Sequence, residues 1–292
     1  MLGGVIIRYS YDFNKTKAEL DLRLKNNHKI HKTLYKFKSV SSELEFKRII
    51  DIINNHEIYI PNKIQVNDPF EGSIIQTHFG NMGNWYYIAS RTLSYQARSF
   101  LDKYRFLSLS DKATSAQMWA YYADTFKGLC LVFNTTKSFK NYEDILYLDE
   151  KTRENICEII ENPDDDELNL ITKYNLLLKS DDWQKEHEVR IIVDSDQKFI
   201  HFDNNELVAI ILGHNIDENF EKSIIVAAKD NNIEIYKTYL DNLKLKIDIL
   251  PYDFNFNEII GAGGDYEEEL EKWRNNTHNK GLYSLDINGQ ML

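Results

Sequence analysis

Cysteine is nearly missing from this chain. Cys130 and Cys157 are the two in 292 residues, and they form no C-x-x-C pair. That removes the zinc-knuckle and dithiol redox motifs. Two unpaired cysteines also suit a reducing cytoplasm better than a secreted, disulfide-stapled fold. Long hydrophobic runs are missing as well, since no stretch approaches the ~18 apolar residues of a membrane helix. The apolar start, Val5-Ile6-Ile7, is too short for the core of a secretion signal, and no small-residue cleavage site follows it. The expectation is a soluble, cytoplasmic protein with no membrane partner. Positive charge is in deficit: 35 Lys and Arg stand against 46 Asp and Glu, a net charge of −11. A broad basic footprint for nucleic acid is therefore excluded. The most basic segment, Lys15 to Lys38, reads as the solvated face of a helix or as a local basic groove. There is no Walker loop, no H-E-x-x-H, no G-x-G-x-x-G and no G-x-S-x-G elbow. The eight histidines are scattered, and nothing in their spacing requires a metal.

What is present is enough for a core. The hydrophobic fraction is 42%, and aromatics at 13% enlarge the area each buried residue removes from water. The length permits one large domain or a core with additions. Residues 1–31 read as an N-terminal extension, residues 32–250 as the main domain, and residues 251–292 as a C-terminal extension. Within the main domain Thr33 to Phe37 alternates as a strand. Ser42 stands three residues before Glu45, a capping-box spacing for a helix over Leu44 to Asn54. Further strands are expected at Glu57 to Pro61, Arg105 to Ser110, Gly128 to Phe133 and Leu207 to Leu212. Ile233 to Tyr236 and Lys244 to Leu250 complete that set. Helices are expected at Ser115 to Ala123, Leu168 to Leu178 and Asn219 to Lys229. Asn67-Asp68-Pro69-Phe70-Glu71 reads as a turn, and residues 162–167 as an acidic surface loop. Strands outnumber clean strand–helix–strand crossovers. The fold class is therefore α+β, with mixed or mainly antiparallel sheets and flanking helices.

Three clusters carry candidate chemistry. In Trp183-Gln184-Lys185-Glu186-His187-Glu188-Val189-Arg190, read as one strand starting near Trp183, Glu186, Glu188 and Arg190 share a face. Burying them would be costly, so they are expected in a cleft or at the surface. Paired carboxylates can divide labour, one activating a nucleophile and one stabilising positive charge at a sugar carbon. Ser108 and Ser110 share one face of their strand and offer hydroxyls to a polar ligand or a carboxylate. Met118-Trp119-Ala120-Tyr121-Tyr122 puts aromatic rings on a short helix, as core or as the floor of a pocket.

Taken in order, the blocks Leu34-Tyr35-Lys36-Phe37, Asn67-Asp68-Pro69-Phe70-Glu71, Ser108-Leu109-Ser110, Met118-Trp119 with Tyr122, Gly128-Leu129-Cys130, and Trp183 with Glu186, Glu188 and Arg190 resemble a large bacterial family of unknown function. That family is related to abortive-infection proteins found near phage-defence genes. A second resemblance is to the ADP-ribosyltransferase plan of a strand with a basic or aromatic residue, a strand with Ser-x-Ser and a strand with Glu-x-Glu. It implies NAD as the substrate, and an unidentified protein or nucleic acid as the acceptor. It implies Glu188 as the catalytic carboxylate, with Glu186 orienting or deprotonating the acceptor. Tyr35 or Lys36 stands at the first-strand position, Ser108 and Ser110 match Ser-x-Ser, and Ser108 would hold Glu188. Tyr35, Trp119 or Tyr122 would stack on nicotinamide, and Arg190 would meet a carboxylate or the pyrophosphate. The expected function is a toxin or effector in anti-phage defence, with a partner protein encoded at the same locus. Two alternatives stay open. One is a non-catalytic ligand-sensing or interaction module of a defence or toxin–antitoxin system. The other is a metal-dependent nuclease built on Glu186, Glu188 and Asp68.

Overall fold

The computed structural model describes residues 13–66, 68, 76–78, 101–152, 159–161, 164–242, 245–254 and 268. Five helices occur among them: α1 Phe13–Asn27, α2 Glu43–Asn55, α3 Ala116–Tyr122, α4 Asp165–Asn175 and α5 Glu218–Asp230. The early strands are β1 Thr33–Lys38, β2 Glu57–Tyr59, β3 Gln76–His78, β4 Tyr104–Ser110, β5 Leu129–Asn134, β6 Glu143–Asp144 and β7 Leu146–Leu148. The later ones are β8 Ile159–Glu161, β9 Leu178–Ser180, β10 Glu188–Asp194, β11 Phe199–His201, β12 Leu207–Leu212, β13 Glu234–Asp241 and β14 Lys246–Pro251.

Eight strands form one sheet in the order β14-β13-β12-β5-β1-β4-β10-β6. Only β12 and β13 run parallel within it, because α5 carries the chain across between them. Its other neighbours are antiparallel. The class is therefore α+β with a mixed, mainly antiparallel sheet, as the sequence led one to expect. Short pairs β11–β2, β3–β8 and β7–β9 lie outside the main sheet.

One sheet face carries Leu34, Leu107, Leu109, Leu131, Val189 and Ile191. These pack with Ile49 and Ile53 of α2 and Ile224 and Ala228 of α5 to make the largest core. Helix α2 follows from its sequence. Ser42 caps it by accepting from the Glu45 N–H, and its apolar stripe faces inward. The capping box is half made. The Glu45 carboxylate turns to the Ser41 N–H and the Ser41 and Ser39 hydroxyls instead of the Ser42 N–H. On the opposite face Tyr35, Phe37, Cys130 and Val132 meet Met118 and Trp119 of α3. Gly128 is required where β5 begins, because a Cβ there would overlap the Lys38 carbonyl oxygen.

Two expectations change. Asp164 to Glu167 are not a surface loop. Asp164 caps α4, Glu167 returns the bond to the Asp164 N–H, and Asp165 to Glu167 form the first turn. Acidic residues favour that end because their charge opposes the helix dipole. The helix also stops at Asn175, and Leu178 to Ser180 become β9 beside β7. The helix foreseen in the N-terminal extension is present as α1. Its Leu20 is fully buried against Leu148, Ile171 and Tyr174, and Tyr174 Oη donates to Asp21 Oδ1 at 2.7 Å. Most of the Asn67-to-Glu71 turn and most of the C-terminal extension fall outside the described residues.

Candidate functional site

Register places the site. In β10, Glu188 lies opposite Ser110 of β4 and Arg190 opposite Ser108. On the other side of β4, Ser110 is paired with Tyr35 of β1. Side chains alternate across a strand, so these residues project from one face of three adjacent strands. The β1–β4 ladder consists of that single Tyr35–Ser110 pair, whereas β1 follows β5 from Thr33 to Lys38. Beyond Tyr35 the two strands part. A cavity of about 220 Å³ lies there, lined by Tyr35, Lys36, Ser108, Tyr122, Glu186, Glu188 and Arg190, with Phe37, Lys179 and Asp68 among others.

The expected strand from Trp183 to Arg190 is corrected. Asp181–Glu186 form a 3-10 turn, His187 takes left-handed angles, and the strand begins only at Glu188. Glu186 and Glu188 therefore do not share a face through strand alternation. They converge because the turn folds Glu186 back onto the same place. The expectation that cost would keep these charges at the surface is also corrected in part. Glu186, Glu188 and Arg190 are buried, though all three border the cavity.

Lys179, a residue sequence reasoning missed, makes that burial tolerable. From β9 its Nζ donates to Glu186 Oε2 at 2.5 Å and to Glu188 Oε2 at 2.8 Å, within 5.0 Å of the Trp183 ring centroid. Arg190 completes the set. Its Nε reaches Glu188 Oε1 at 2.7 Å, Nη2 reaches Oε2 at 3.0 Å, and Nη1 donates to the Leu176 carbonyl at 2.7 Å. The guanidinium also lies over the Phe106 ring at 4.4 Å. Two carboxylates facing two cations sum to zero formal charge, which is how a buried ionic cluster avoids a net desolvated charge. The signal for Lys179 in the sequence is a single cation directly after Leu176-Leu177-Leu178.

The electrostatics follow from these contacts. Burial alone would raise the Glu188 carboxyl, but Arg190 and Lys179 outweigh it and hold the group well below the usual carboxylate range. Burial would lower Lys179, but Glu188 and Glu186 outweigh it and raise the ammonium. Lys36 behaves in the opposite way. Its Nζ donates to the Ser108 carbonyl at 2.6 Å, and burial, with repulsion from Lys38, lowers it from 10.5 to about 7. A lysine poised there changes charge near neutral pH.

The remaining expected residues divide. Tyr122 Oη donates to Glu186 Oε1 at 2.5 Å, at the cavity wall. Ser108 borders the cavity, yet the Glu188 carboxylate is held by Lys179 and Arg190, and Ser108 engages Lys36 through its carbonyl. Ser110 is fully buried, and its hydroxyl donates to the Glu186 carbonyl at 2.8 Å, so it fixes the turn that presents Glu186. Trp119 is also fully buried and is not among the lining residues. Its indole N–H donates to the Ala113 carbonyl at 2.8 Å and its ring stacks on Phe126. It supports the cavity floor through Phe37, which meets it edge-on at 5.2 Å.

An α+β sheet that parts around an ionic cavity is the class of protein these residues define. Residues 118–191 match a family described as protein of unknown function (DUF2971). That segment carries Met118, Tyr122, Lys179, Glu186, Glu188 and Arg190 of the cavity, whereas Tyr35, Lys36 and Ser108 precede it. No curated protein and no solved structure matches the chain. Among the described residues no helix is long and apolar enough to cross a membrane.

Proposed function

We propose that the cleft between β1 and β4 is the active site of an NAD-dependent enzyme of the ADP-ribosyltransferase type, acting as an effector in bacterial defence against phage. The observation that carries this reading is the adjacency of β1, β4 and β10. A basic residue, Ser108 of the Ser-x-Ser pair and the second Glu of Glu-x-Glu come from three neighbouring strands around one cavity, with Ser110 buried behind it on the Glu186 carbonyl. At about 220 Å³ the cavity is smaller than the ~300–1,000 Å³ usual for drug-sized ligands. It suits the nicotinamide–ribose end of NAD, with the rest of the dinucleotide lying toward Lys36 and solvent.

The chemistry would run as follows. Breaking the bond between nicotinamide and ribose leaves positive charge on the sugar. Glu188, kept ionised, faces that charge and accepts from a ribose hydroxyl. Lys179 and Arg190 hold its carboxylate in one orientation, so little reorganisation is needed when the charge develops. Glu186, clamped by Tyr122 and Lys179, orients the acceptor, and the Tyr35 and Tyr122 rings flank the flat leaving group. Lys36, in place of the basic first-strand residue of the plan, supplies a cation to the pyrophosphate when protonated. The acceptor is a protein or nucleic acid, and a partner from the same locus would restrain the toxin.

One observation favours a second reading, a ligand-sensing module without turnover: both carboxylates are already engaged in ion pairs. The nuclease reading has less support. The Lys179 ammonium bridges Glu186 and Glu188, in the place a metal ion would need. The deciding experiment incubates full-length protein with NAD and lysate and follows nicotinamide release and label transfer. Transfer that disappears in Glu188→Gln supports the transferase. NAD that binds without release in the wild type supports the module, and neither binding nor release refutes the transferase and leaves a module for another ligand or partner.

A further inference from the structure

Histidines that are scattered in the sequence meet around Asp111 and Asp144, and none of them is among the residues that line the cavity. His31, in the loop before β1, places Nε2 2.6 Å from Asp144 Oδ1 of β6. Asp111, just after β4, completes a group whose three ligand atoms lie within 4.8 Å of one another. His187 Nδ1 is 3.3 Å from Asp111 Oδ1, and His28 Nδ1 is 3.3 Å from Asp144 Oδ2. The side chains of His31, Asp111 and Asp144 are only 11%, 16% and 9% exposed. We propose that His31, Asp111, Asp144 and His187 form a binding site for one divalent transition-metal ion of the zinc class.

The ligand chemistry selects the ion. Two imidazoles and two carboxylates suit zinc and its neighbours, whereas calcium and magnesium prefer oxygen alone. Tetrahedral zinc with bonds of about 2.0–2.2 Å needs ligand atoms about 3.3 Å apart. The ligand atoms of His31, Asp111 and Asp144, within 4.8 Å of one another, are close to that spacing, and His187 Nδ1 already stands 3.3 Å from Asp111 Oδ1. Backbone hydrogen bonds fix the segments that carry the ligands, and one of them orients a ligating carboxylate. The His31 N–H donates to Tyr142 Oη at 2.7 Å, and Thr135 Oγ1 donates to the His31 carbonyl at 2.5 Å. The Lys29 N–H donates to Asp144 Oδ2 at 2.8 Å, and the Asp111 N–H to the His187 carbonyl at 2.9 Å. The nearby cation, Lys29 Nζ, is 4.0 Å from Asp111 Oδ2 on an exposed side chain that can swing aside.

The site ties α1 and its following loop to β4, β6 and the residue between the two glutamates. It does not rest on the transferase reading, because its readout is binding. Full-length protein is stripped with chelator and titrated with Zn²⁺ by calorimetry and with Co²⁺ by visible absorption. One equivalent should bind, Co²⁺ should show the intense bands of a tetrahedral site, and the thermal midpoint should rise with Zn²⁺. Asp111→Asn and His31→Gln should each weaken binding at least ~10-fold, and excess Mg²⁺ should not compete. Binding of less than one equivalent, or unchanged affinity in both variants, would overturn the proposal. Should His31→Gln fail to fold, Asp111→Asn and His187→Gln decide it alone.

Discussion

Replacing Lys179 by Met is the sharpest test of how the cleft is held together. Methionine keeps the length and most of the volume of the lysine stem but removes the ammonium that contacts Glu186 at 2.5 Å and Glu188 at 2.8 Å. At those separations and an effective dielectric of about 20, each contact amounts to about 6 kcal/mol of Coulomb attraction before desolvation. Most of that offsets the cost of burying the ammonium, so the net loss on breaking such a cluster is about 3–5 kcal/mol. Its pH dependence is specific. In the wild type the Glu188 carboxyl sits below its ordinary value of 4.5. Its stabilisation is therefore present above that pH and is lost as pH falls through the folded value. Without Lys179, Arg190 is the cation left hydrogen-bonded to the carboxylate pair, and burial should keep one of the two protonated. A carboxyl raised in the folded state loses stability as pH rises above its unfolded value. The deficit of Lys179→Met should therefore be larger near about pH 7 than near about pH 5, measured by urea unfolding at both. A loss under about 1 kcal/mol, or an equal loss at the two pH values, would refute the account of the cluster.

Lys36→Met should act in the opposite sense. The Lys36 ammonium is lowered from 10.5 to about 7, so the unfolded chain binds more protons between those values and wild-type stability should climb across that window. The variant should be more stable than wild type at neutral pH, on the order of a few kcal/mol, with a flatter profile. Parallel profiles in chemical denaturation would count against the assignment. Gly128→Ala should lower stability by about 1–3 kcal/mol, because the new methyl meets the Lys38 backbone carbonyl, which cannot move without disturbing β1. A thermal midpoint equal to wild type would show that β1 can shift.

Much of the fold is legible where a segment obeys one period. Strands β1, β4, β5 and β12 alternate or run apolar, and α2 and α5 show their stripes, so their positions follow from side-chain spacing. The cleft is legible only in part. Glu188, Arg190, Ser108 and Tyr35 could be grouped because strand alternation governs them. Glu186 joined them for a reason no period encodes, a 3-10 turn and a left-handed His187. Lys179 was hidden because Leu176 to Leu178 read as the end of a helix, whereas the chain turns there and begins a strand. The pairing of β9 with β7, which delivers Lys179, joins residues far apart in sequence, and no local propensity reports it. The same holds for His31, Asp111, Asp144 and His187. Each is unremarkable in its own segment and acquires neighbours only through tertiary pairing.

The single Tyr35–Ser110 pair has a mechanical meaning. The sheet is a seam between a slab of five strands and a slab of three, stitched at one point. Elsewhere adjacent strands share at least two rungs and mostly four or more, so a load across the sheet concentrates at this stitch. Opening there costs few hydrogen bonds, and local opening follows the least-supported region. The apolar core shared by both slabs, with Leu34 and Leu131 on one side and Leu107 and Val189 on the other, resists such opening, so any widening should stay local to the gap. A ligand in the gap would bear on β1 and β4 first. Amide exchange along Phe37 and Lys38 of β1 and Phe106 and Leu107 of β4 should then report occupancy before any change reaches the outer strands.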